Sequence, residues 1–587
     1  MTATSRKNRA GFETTSRLLA QVVNEGLATA RVKTSGNMHQ EYLILTSHQE
    51  SFENPERWVK AGLLPDTHYE LRDGQVISLV RPGNLKPLIS IGTFSMETEV
   101  LEPEVIFEHM RPWLLNVADE SLLQEIGREL KNSSDNQEKW LEISECMERA
   151  LNFDSSSIEW ERAMVFGHPS HPYHRLCYAQ VPLKPHSPND LPGMLTPSIA
   201  FVSVLRIDMH LSGLFEETLA PLLRTLDIPN PSDDRLVVPC LVQQLPAIKT
   251  YFPSAVVVKT TKECADAQTS MRTLTIRPEL GFPYHIKLSL ACNITSALRT
   301  ITPWSTMGGP VFSELLERFL PPDMWVFREI GSITGNQPDF NQAKHFSCIL
   351  RDDLERKAQA NDETLVLAAV LAQHPPETNT SYAEILYNLD DLQKKKNWFR
   401  KYTACLFKLT IPPLLDYGIA LEAHGQNLVV RICRQTGDIK GFAVRDFGGI
   451  RLHVPTLQEY GVGLDAIPSG SAVLTNSLHN AWSKVHHSML QNHIGFLLSA
   501  LGLEQQGGWT IVREELANVL NPDENKRGLK LYDFFVADTM PFKCFLMMRM
   551  EGKYRDYVER ELPNIVAMNS PRWKEILKTY QPRLHHA

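Results

Sequence analysis

The sequence contains few cysteines and no paired cysteine motif. Its 9 cysteines are an odd number, they lie far apart, and no two of them form a C-x-x-C pair. A disulfide framework and a zinc ribbon are therefore not expected. Unpaired thiols are typical of proteins in a reducing compartment, so the sequence predicts a cytoplasmic location.

Long apolar runs are also missing. The longest, 365–372 and 494–503, contain about ten residues or fewer, whereas a membrane-spanning helix needs roughly 20. The basic N-terminus is followed by Glu13 and Thr14 instead of the apolar run of a secretory signal. We therefore expect neither a transmembrane helix nor a membrane partner.

The sequence also lacks an excess of positive charge. Lys and Arg number 60 against 68 Asp and Glu, which gives a formal net charge of -8. The chain as a whole lacks the basic field that non-specific nucleic-acid binding requires, so no nucleic-acid partner is expected and any anion site must be a local cluster. The hydrophobic content of 43% excludes wholesale disorder, and 587 residues are enough for several domains.

Hydrophobic periodicity divides the chain into three predicted domains. Apolar residues at helical spacing, as in 122–130, predict a helix-rich N-terminal domain over 1–153. Short β-branched runs predict a sheet-containing middle domain over 154–374. A proline-containing boundary precedes a C-terminal domain over 375–587, which combines helices with a two-stranded hairpin. The predicted fold class is α+β, with mixed or antiparallel sheets and helices.

The first group of candidate residues lies in a short loop rich in histidine and proline. It holds three histidines at three-residue spacing and an arginine: His168, His171, His174 and Arg175. Two prolines make a regular helix unfavourable, and no carboxylate or thiolate stands nearby as a further metal ligand. The pattern suits a loop that presents imidazole and guanidinium donors to an anion such as phosphate. A metal site and a purely structural loop are the alternatives.

The second group combines hydroxyls with three cations. Strand alternation predicts that Ser270 and Arg272 share one face of a strand and that Lys287 points away from the apolar face of another. Thr295 and Arg299 lie four positions apart, which predicts one face of a short helix. Together these cations favour a pocket for a polycarboxylate or a polyphosphate, and a solvated charged surface is the alternative.

The third group lies at the ends of the predicted hairpin. Alternation sends Glu422, His424 and Gln426 to one face of a strand. Asn427 and Asp446 stand on either side of the hairpin and offer the hard oxygen ligands that Mg²⁺ takes beside substrate phosphates. This arrangement favours a nucleotide–metal site, and mutual pairing of these groups inside a core is the alternative.

In this order and across this length, the three groups resemble the signatures of the IucA/IucC family of siderophore synthetases, which work independently of non-ribosomal peptide synthetases (NRPS) and include the aerobactin synthetases. The matching segments are Gly167–Arg175, Ser270–Thr273 with Lys287, Thr295 and Arg299, and His424–Asn427 with Arg445 and Asp446. The sequence departs from the family pattern where Arg175 replaces Lys, Cys177 replaces Arg and Ala179 replaces Gly. These departures leave the role of the first loop open.

The resemblance implies a multi-domain cupped-hand architecture of thumb, fingers and palm, often a homodimer, with ATP bound between the last two. It implies adenylation of a carboxylate, usually of citrate or a citrate derivative, followed by transfer of the acyl group to an amine or a hydroxyl. By resemblance, the carboxylate-binding residues are Ser270, Thr295, Arg299, His424 and Gln426. The residues for ATP and Mg²⁺ are His168, His171, Arg272, Lys287, Glu422, Asn427 and Asp446.

The chemistry of adenylation agrees with that division. A carboxylate must attack the α-phosphorus of ATP, and because both are anions the site has to supply positive charge. The planar guanidinium of Arg299 suits a carboxylate, the ammonium of Lys287 suits a phosphate, and His424 can donate to the reacting carbonyl. These three residues are therefore the predicted catalytic set.

Two other functions remain open from the sequence. His424, Asn427 and Asp446 also resemble parts of a kinase-like small-molecule phosphotransferase, although Gln426 stands where such an enzyme needs a catalytic Asp. A scaffold of the same fold without activity is the other alternative, because the departures at Arg175 and Cys177 could accompany a loss of catalysis. A synthetase would release pyrophosphate from ATP, whereas a phosphotransferase or an inactive scaffold would not.

Overall fold

The computed structural model describes most of the chain. It covers residues 1–587 except 36–39, 51–52, 54, 66, 95, 147–149, 296, 468–469, 554–557 and 587. Over the described residues, no helix combines the length and the apolar character that a membrane crossing requires.

The N-terminal part of the chain combines three helices with one antiparallel sheet. The helices are α1 (Ala3–Asn24), α2 (Pro103–Leu114) and α3 (Glu120–Ser144). The strands are β1 (Thr29–Thr34), β2 (Glu41–Thr46), β3 (Arg57–Leu63), β4 (Leu71–Arg72), β5 (Gln75–Val76), β6 (Leu85–Thr93) and β7 (Met96–Glu99). They form a 7-stranded sheet in the order β4-β5-β1-β2-β3-β6-β7.

The prediction of a helix-rich domain over residues 1–153 did not include this sheet. Strand alternation is present in β3, where Val59 and Ala61 are fully buried and Lys60 between them is not. However, a strand of 7 residues gives a much shorter periodic signal than the 25 residues of α3. The helical pattern of α3 therefore dominated the sequence-based prediction.

The middle part contains several small sheets. Its helices are α4 (Ser157–Arg162), α5 (Leu191–Leu195), α6 (Phe215–Thr225), α7 (Leu245–Tyr251), α8 (Pro303–Phe319), α9 (Phe340–Ala343), α10 (Glu355–Ala360) and α11 (Ala368–Leu371). Its strands are β8 (Cys177–Ala179), β9 (Ile199–Leu205), β10 (Met209–Gly213), β11 (Arg235–Leu241), β12 (Val256–Thr261), β13 (Ala265–Ala267), β14 (Thr273–Ile276), β15 (Tyr284–Leu288), β16 (Cys292–Ile294), β17 (Ala297–Leu298), β18 (Met324–Val326), β19 (Glu329–Gly335), β20 (Cys348–Asp352) and β21 (Glu363–Leu367). The sheets have the orders β10-β19-β20-β15-β14-β13, β11-β9-β12 and β17-β16-β8.

The C-terminal part is mainly helical, with short strands. Its helices are α12 (Tyr382–Tyr387), α13 (Leu392–Tyr417), α14 (Val454–Glu459), α15 (Leu478–Val485), a π-helix (His486–Ile494), α16 (Gly495–Ala500), α17 (Trp509–Leu520), α18 (Lys526–Phe535), α19 (Phe545–Met550) and α20 (Trp573–Thr579). Its strands are β22 (Ile419–Ala420), β23 (Leu428–Cys433), β24 (Ile439–Val444), β25 (Arg451–His453), β26 (Leu474–Thr475), β27 (Thr539–Lys543), β28 (Val558–Pro563) and β29 (Leu584–His586).

The central sheet of this part crosses the predicted boundary at residue 374. Its order is β18-β24-β23-β21, so two strands that precede residue 374 complete a sheet with the β23–β24 hairpin. The proline-containing segment marks a loop in the sequence, but composition does not show which strands pair. The domain boundaries remain predictions, whereas the α+β class with antiparallel and mixed sheets is confirmed.

The first and last parts of the chain pack against each other. Leu546 and Met547 of α19 belong to the same buried cluster as α1 and α3. The carboxylate of Glu25 accepts hydrogen bonds from the N–H groups of both residues, each at 2.8 Å, and burial raises the pKa of Glu25 to about 8. Arg549 makes two hydrogen bonds of 3.0 Å to the Glu129 carboxylate. The ring of Phe545, the first residue of α19, lies 4.4 Å from the ring of His171, so α19 packs beside the loop that carries His168 and His171.

Candidate active site

The loop over 167–175 is irregular, as its two prolines predict. The Nδ1 atom of His168 accepts hydrogen bonds from the N–H groups of Ser170 and His171, at 3.3 and 3.1 Å. The Nδ1 atom of His171 accepts one from the N–H of Tyr173 at 3.0 Å. Removal from water lowers the pKa of His168 well below its ordinary value and that of His171 to about 3. Both neutral rings therefore carry their proton on Nε2, and neither Nε2 donates a hydrogen bond to a described residue.

The other two residues of this loop have structural roles. His174 joins Thr14 and the carbonyl oxygen of Phe166, with its ring nitrogens 3.0 and 2.7 Å from those oxygens. Arg175 donates from Nε to the carbonyl oxygen of Val165 at 3.0 Å, and its guanidinium lies 4.0 Å from the centroid of the Trp140 ring. The expectation that a guanidinium of this loop faces an anion is therefore wrong for Arg175. In the part of the chain that the structure describes, no group of three potential ligands could hold a metal ion here.

The second group differs from its predicted local structure at Arg272. Residues 270–272 form a turn in which Met271 has a φ of 62°, and β14 begins only at Thr273. The guanidinium of Arg272 donates from Nη1 to the carbonyl oxygens of Arg299 and Thr300, at 2.7 and 2.9 Å. Arg272 thus fixes the main chain that carries Arg299.

The predicted helix with Thr295 and Arg299 on one face is wrong. β16 and β17 pair as an antiparallel hairpin, and Thr295 follows β16 with a φ of 60°. Pairing of Ile294 with Cys177 fixes β16 in the sheet, and this long-range contact cannot be read from the spacing of two polar residues. Arg299 follows β17 and is half-buried.

Arg272 and Arg299 both carry buried donors without a protein partner. The Nε atom of each is buried and has no hydrogen-bond partner among the described residues. Burial lowers the pKa of Arg272 to about 10 and also lowers the pKa of Arg299, whereas the Asp446 carboxylate acts in the opposite direction on both. Both guanidiniums thus lie close enough to Asp446 to interact with its charge.

Lys287 and Asp446 form the centre of the site. The Lys287 side chain, on β15 as predicted, is 5% exposed, and its Nζ lies 3.0 Å from Oδ1 of Asp446. Burial alone would raise the pKa of the Asp446 carboxyl, but Lys287, Arg272 and Arg351 hold it well below its usual range. Asp446 has a φ of 66°, a strained conformation for a residue with a side chain. Such strain is concentrated at functional positions.

The third group lies at the open end of the β23–β24 hairpin, as predicted. Asn427 precedes β23, Asp446 follows β24, and the N–H of Arg445 donates to the carbonyl oxygen of Asn427 at 3.0 Å. However, β22 ends at Ala420, so residues 422–426 form no strand. Their polar side chains are positioned by local hydrogen bonds instead of by strand alternation.

Those local bonds define the state of His424. Its Nδ1 accepts from the N–H of Gln426 at 3.3 Å, so the neutral ring carries its proton on Nε2. Burial lowers the pKa of His424. Glu422 accepts from the side-chain amide of Asn427 at 3.1 Å and also contacts Lys484. The side-chain oxygen of Asn427 accepts no hydrogen bond from a described residue.

The fold joins the three groups in space. The ring centroids of His168 and His424 are 5.5 Å apart, and Lys287 meets Asp446 across 159 positions of the chain. The side chain of Ser270 bonds instead to Thr273. Over the described residues, no hydrogen bond connects the side chains of Ser270, Thr295 or Gln426 to the other candidates.

Several charged residues of the site are missed by sequence reasoning. They are Glu161, Glu329, Arg351 and Lys484. Burial raises the pKa of Glu329 to about 7, and Arg351 donates to the side-chain oxygen of Gln268 at 2.8 Å. The charged residues Arg351 and Asp352 follow three apolar residues in strand β20, and this change was a usable signal for Arg351. The others stand in segments without a distinctive pattern.

Comparison with known proteins gives concordant results. The model of the IucA / IucC family matches residues 244–373, and a model described as ferric iron reductase FhuF-like transporter matches 396–558. The chain is 45% identical to the NRPS-independent siderophore synthetase-like protein ankE of Aspergillus thermomutatus, over 99% of both chains.

Solved structures share the fold. The petrobactin biosynthesis protein AsbB of Bacillus anthracis superposes with a TM-score of 0.75 at 17% identity, over 98% of this chain and 97% of that one. The ATP-bound aerobactin synthetase IucA of Klebsiella pneumoniae gives a TM-score of 0.70 at 16% identity, over 95% and 99%. The architecture of this chain is thus that of these solved structures, and the kinase-like alternative is not favoured.

Proposed function

Because the chain belongs to the IucA/IucC family of NRPS-independent siderophore synthetases, we propose that it activates citrate or a related polycarboxylic acid with ATP and joins it to an amine or a hydroxyl. The observation that carries this proposal is the set of cations, Lys287, Arg272 and Arg299, gathered around Asp446. Two of these cations hold buried Nε donors without a hydrogen-bond partner among the residues that the structure describes. A homodimer and a cytoplasmic location remain predictions.

In the first step, a carboxylate oxygen attacks the α-phosphorus of ATP. A new oxygen–phosphorus bond forms, the bond from the α-phosphorus to the bridging oxygen breaks, and pyrophosphate leaves. Arg299 holds the carboxylate through its planar guanidinium, and Lys287 places a point charge beside the phosphates. The Nε2–H groups of His168 and His171 donate to phosphate oxygens. The cations offset the repulsion between the two anions.

In the second step, the nucleophile attacks the acyl carbon. The carbon–nitrogen or carbon–oxygen bond forms, the bond from the acyl carbon to AMP breaks, and AMP leaves with the bonding electron pair while the nucleophile loses a proton. His424 donates from Nε2 to the carbonyl oxygen as negative charge develops on it. No covalent intermediate with the protein is required.

The residues around Asp446 also fit Mg²⁺. The second carboxylate oxygen of Asp446 and the side-chain oxygen of Asn427 are hard donors. This side-chain oxygen of Asn427 makes no hydrogen bond among the described residues. Magnesium ions are typically held by one or two carboxylates together with substrate phosphates. Asp446 and Asn427 would hold the ion, which would neutralise phosphate charge.

Product analysis tests the proposed function. With ATP, Mg²⁺ and a panel of citrate, 2-oxoglutarate and citryl or succinyl derivatives, and with hydroxylamine as surrogate acceptor, we expect AMP and pyrophosphate in equal amounts. Separation of the nucleotides by chromatography gives the answer. ADP as the main product would show that the protein is a phosphotransferase and not a synthetase. No turnover with any acid would favour an inactive scaffold.

The two cations that hold substrates are expected to respond differently to substitution. Arg299→Lys keeps the charge but loses paired hydrogen bonds worth about 1.5–3 kcal/mol each, so the KM of the carboxylate should rise about ten-fold or more. Lys287→Met should mainly impair the use of ATP. Steady-state kinetics with each substrate varied in turn decides, and Arg356→Lys, an exposed change on α10, is the matched control. A normal carboxylate KM in Arg299→Lys would remove Arg299 from this role.

A further inference from the structure

Two cysteine thiols meet next to the cations of the active site. The Sγ atoms of Cys177 and Cys292 are 3.4 Å apart. Cys177 is the first residue of β8, Cys292 is the first residue of β16, and the two strands pair in antiparallel orientation. Ile294 stands opposite Cys177 and shares a face of β16 with Cys292, because side chains two positions apart on a strand point the same way. A bond between the two sulfurs would therefore cross-link neighbouring strands of one sheet.

This pair connects two parts of the active site. Cys177 lies two positions after Arg175, the last residue of the loop that carries His168. On the other side, the carbonyl oxygen of Cys292 accepts a hydrogen bond from the N–H of Arg299 at 2.9 Å. Cys177 is also one of the departures from the family pattern, in which an arginine stands at this position. The departure places a second thiol against Cys292.

The two thiols differ in their exposure and in their protonation. Cys177 is half-buried, whereas Cys292 is buried. The hydrogen bond to Cys177 and burial raise the pKa of Cys292 well above its ordinary value, and the charge of Arg299 acts in the opposite direction. Cys292 therefore keeps its proton and donates it toward the Cys177 sulfur. Because an oxidant reacts with a cysteine whose sulfur it can reach, Cys177 is the one that an oxidant meets first.

We propose that hydrogen peroxide converts Cys177 and Cys292 into a reversible disulfide, which weakens the use of the carboxylate substrate. The Cys177 sulfur attacks one oxygen of the peroxide, the oxygen–oxygen bond breaks, and a sulfenic acid and one water form. The Cys292 sulfur then attacks the Cys177 sulfur, the sulfur–sulfur bond forms, the sulfur–oxygen bond breaks, and a second water leaves. The two thiols lose two electrons and two protons, which the peroxide gains. A dithiol reductant reverses the reaction by thiol–disulfide exchange.

The disulfide would displace the main chain that carries Arg299. The distance between the two sulfurs has to shorten from 3.4 Å to about 2.0 Å, so β16 and β8 must shift against each other. Arg299 is bound to the main chain of Cys292, and a misplacement of about 1 Å in a group that positions a substrate lowers the rate by about 100-fold. This consequence rests on the proposed function, in which Arg299 holds the carboxylate. The formation of the disulfide does not depend on it.

Peroxide treatment of the full-length protein tests both parts of the inference. The reduced protein is incubated with hydrogen peroxide, catalase stops the reaction, and free thiols are alkylated before proteolysis. Mass spectrometry should then find a peptide pair that joins Cys177 to Cys292 and is lighter by two hydrogen atoms than its reduced parts. In a second portion, the kcat/KM for the carboxylate should fall about ten-fold or more while the KM of ATP stays within about two-fold, and dithiothreitol should restore the rate.

Cysteine variants connect the loss of activity to this pair. Cys177→Ser and Cys292→Ala each remove one of the two sulfurs, so both variants should keep their carboxylate kcat/KM in peroxide. Each variant is compared with its own untreated sample, so a partly folded preparation remains informative. Cys146→Ser, a change at an exposed cysteine that follows α3, is the matched control and should lose activity like the unmodified protein.

Three results would overturn the inference. If peroxide oxidises the exposed Cys146 but no peptide joins Cys177 to Cys292, the pair does not form a disulfide. A joined peptide with unchanged kinetics would show that the disulfide does not act on the active site. An equal loss of activity in Cys177→Ser would place the sensitive group elsewhere. Absence of pyrophosphate release from the reduced protein would instead overturn the proposed function and the kinetic consequence, whereas the peptide map tests the disulfide independently.

Discussion

Asp446→Asn is expected to lower turnover by about 100-fold or more while the protein stays folded. The Asp446 carboxylate is the anion that Lys287, Arg272 and Arg351 surround, and its loss removes a charged ligand for Mg²⁺. The asparagine oxygen can still accept the hydrogen bond from Lys287. Because the Lys287 side chain is 5% exposed and loses its counter-charge, we also expect a lower melting temperature, so the rates are compared below the melting transition of both proteins.

The measurement is the initial rate of pyrophosphate release as a function of Mg²⁺ concentration, together with the melting temperature. Asp533→Asn, an exposed change on α18, is the matched control and should behave like the unmodified protein. If Asp446→Asn melts normally and keeps both its rate and its Mg²⁺ requirement, the metal is held elsewhere and the centre of the site has been assigned wrongly.

Local sequence signals were sufficient for the features that neighbouring residues determine. The prolines at 169 and 172 exclude a helix in the first loop, and the turn at 435–438 fixes the hairpin that brings Asn427 close to Asp446. Lys287 lies on a strand because apolar residues alternate with it. These features depend on neighbours in sequence, so they could be predicted without the fold.

The predictions that failed concern residues whose structure depends on contacts with residues far away in the sequence. β16 and β17 form a hairpin, and β16 is held in its sheet by β8, more than one hundred positions earlier in the chain. Spacing alone could not distinguish that hairpin from a helix, since Thr295 and Arg299 satisfy a helical interval by coincidence. Arg175 stands where the family loop usually has Lys, and its guanidinium stacks on Trp140 of α3 instead of facing an anion. Which cations face the site was therefore decided by packing.

The role of Glu161 could not be predicted from the sequence for the same reason, because its partner Arg445 is 284 positions away. The pair is almost fully buried, with side-chain exposures of 5% for Glu161 and 8% for Arg445. Glu161 also accepts a hydrogen bond from the N–H of Thr269 at 2.9 Å. Arg445 in turn donates to the carbonyl oxygen of Gln426, at 3.1 Å from Nε and 3.0 Å from Nη2. The pair thus ties the middle part of the chain to the segment that carries His424.

Glu161→Gln is therefore expected to lower the free energy of unfolding by about 3–5 kcal/mol, because it leaves the Arg445 guanidinium buried without its counter-charge. Burial alone would raise the pKa of Glu161, but Arg445 and Thr269 lower it below the ordinary value of 4.5. The stabilisation from this carboxylate is thus fully present above pH 4.5 and is lost as the pH falls through the lowered pKa. The difference in the free energy of unfolding between the unmodified protein and Glu161→Gln should therefore become smaller as the pH falls below 4.5.

Urea denaturation followed by tryptophan fluorescence measures this effect, with Glu314→Gln, an exposed change on α8, as the control expected to stay within about 0.5 kcal/mol. The double variant Glu161→Leu with Arg445→Met removes both charges and should recover part of the loss, since no unpaired ion remains. Its activity should stay low, because Gln426 and His424 have lost the group that positions them. A Glu161→Gln protein as stable as the control would show that this pair does not hold the two parts together.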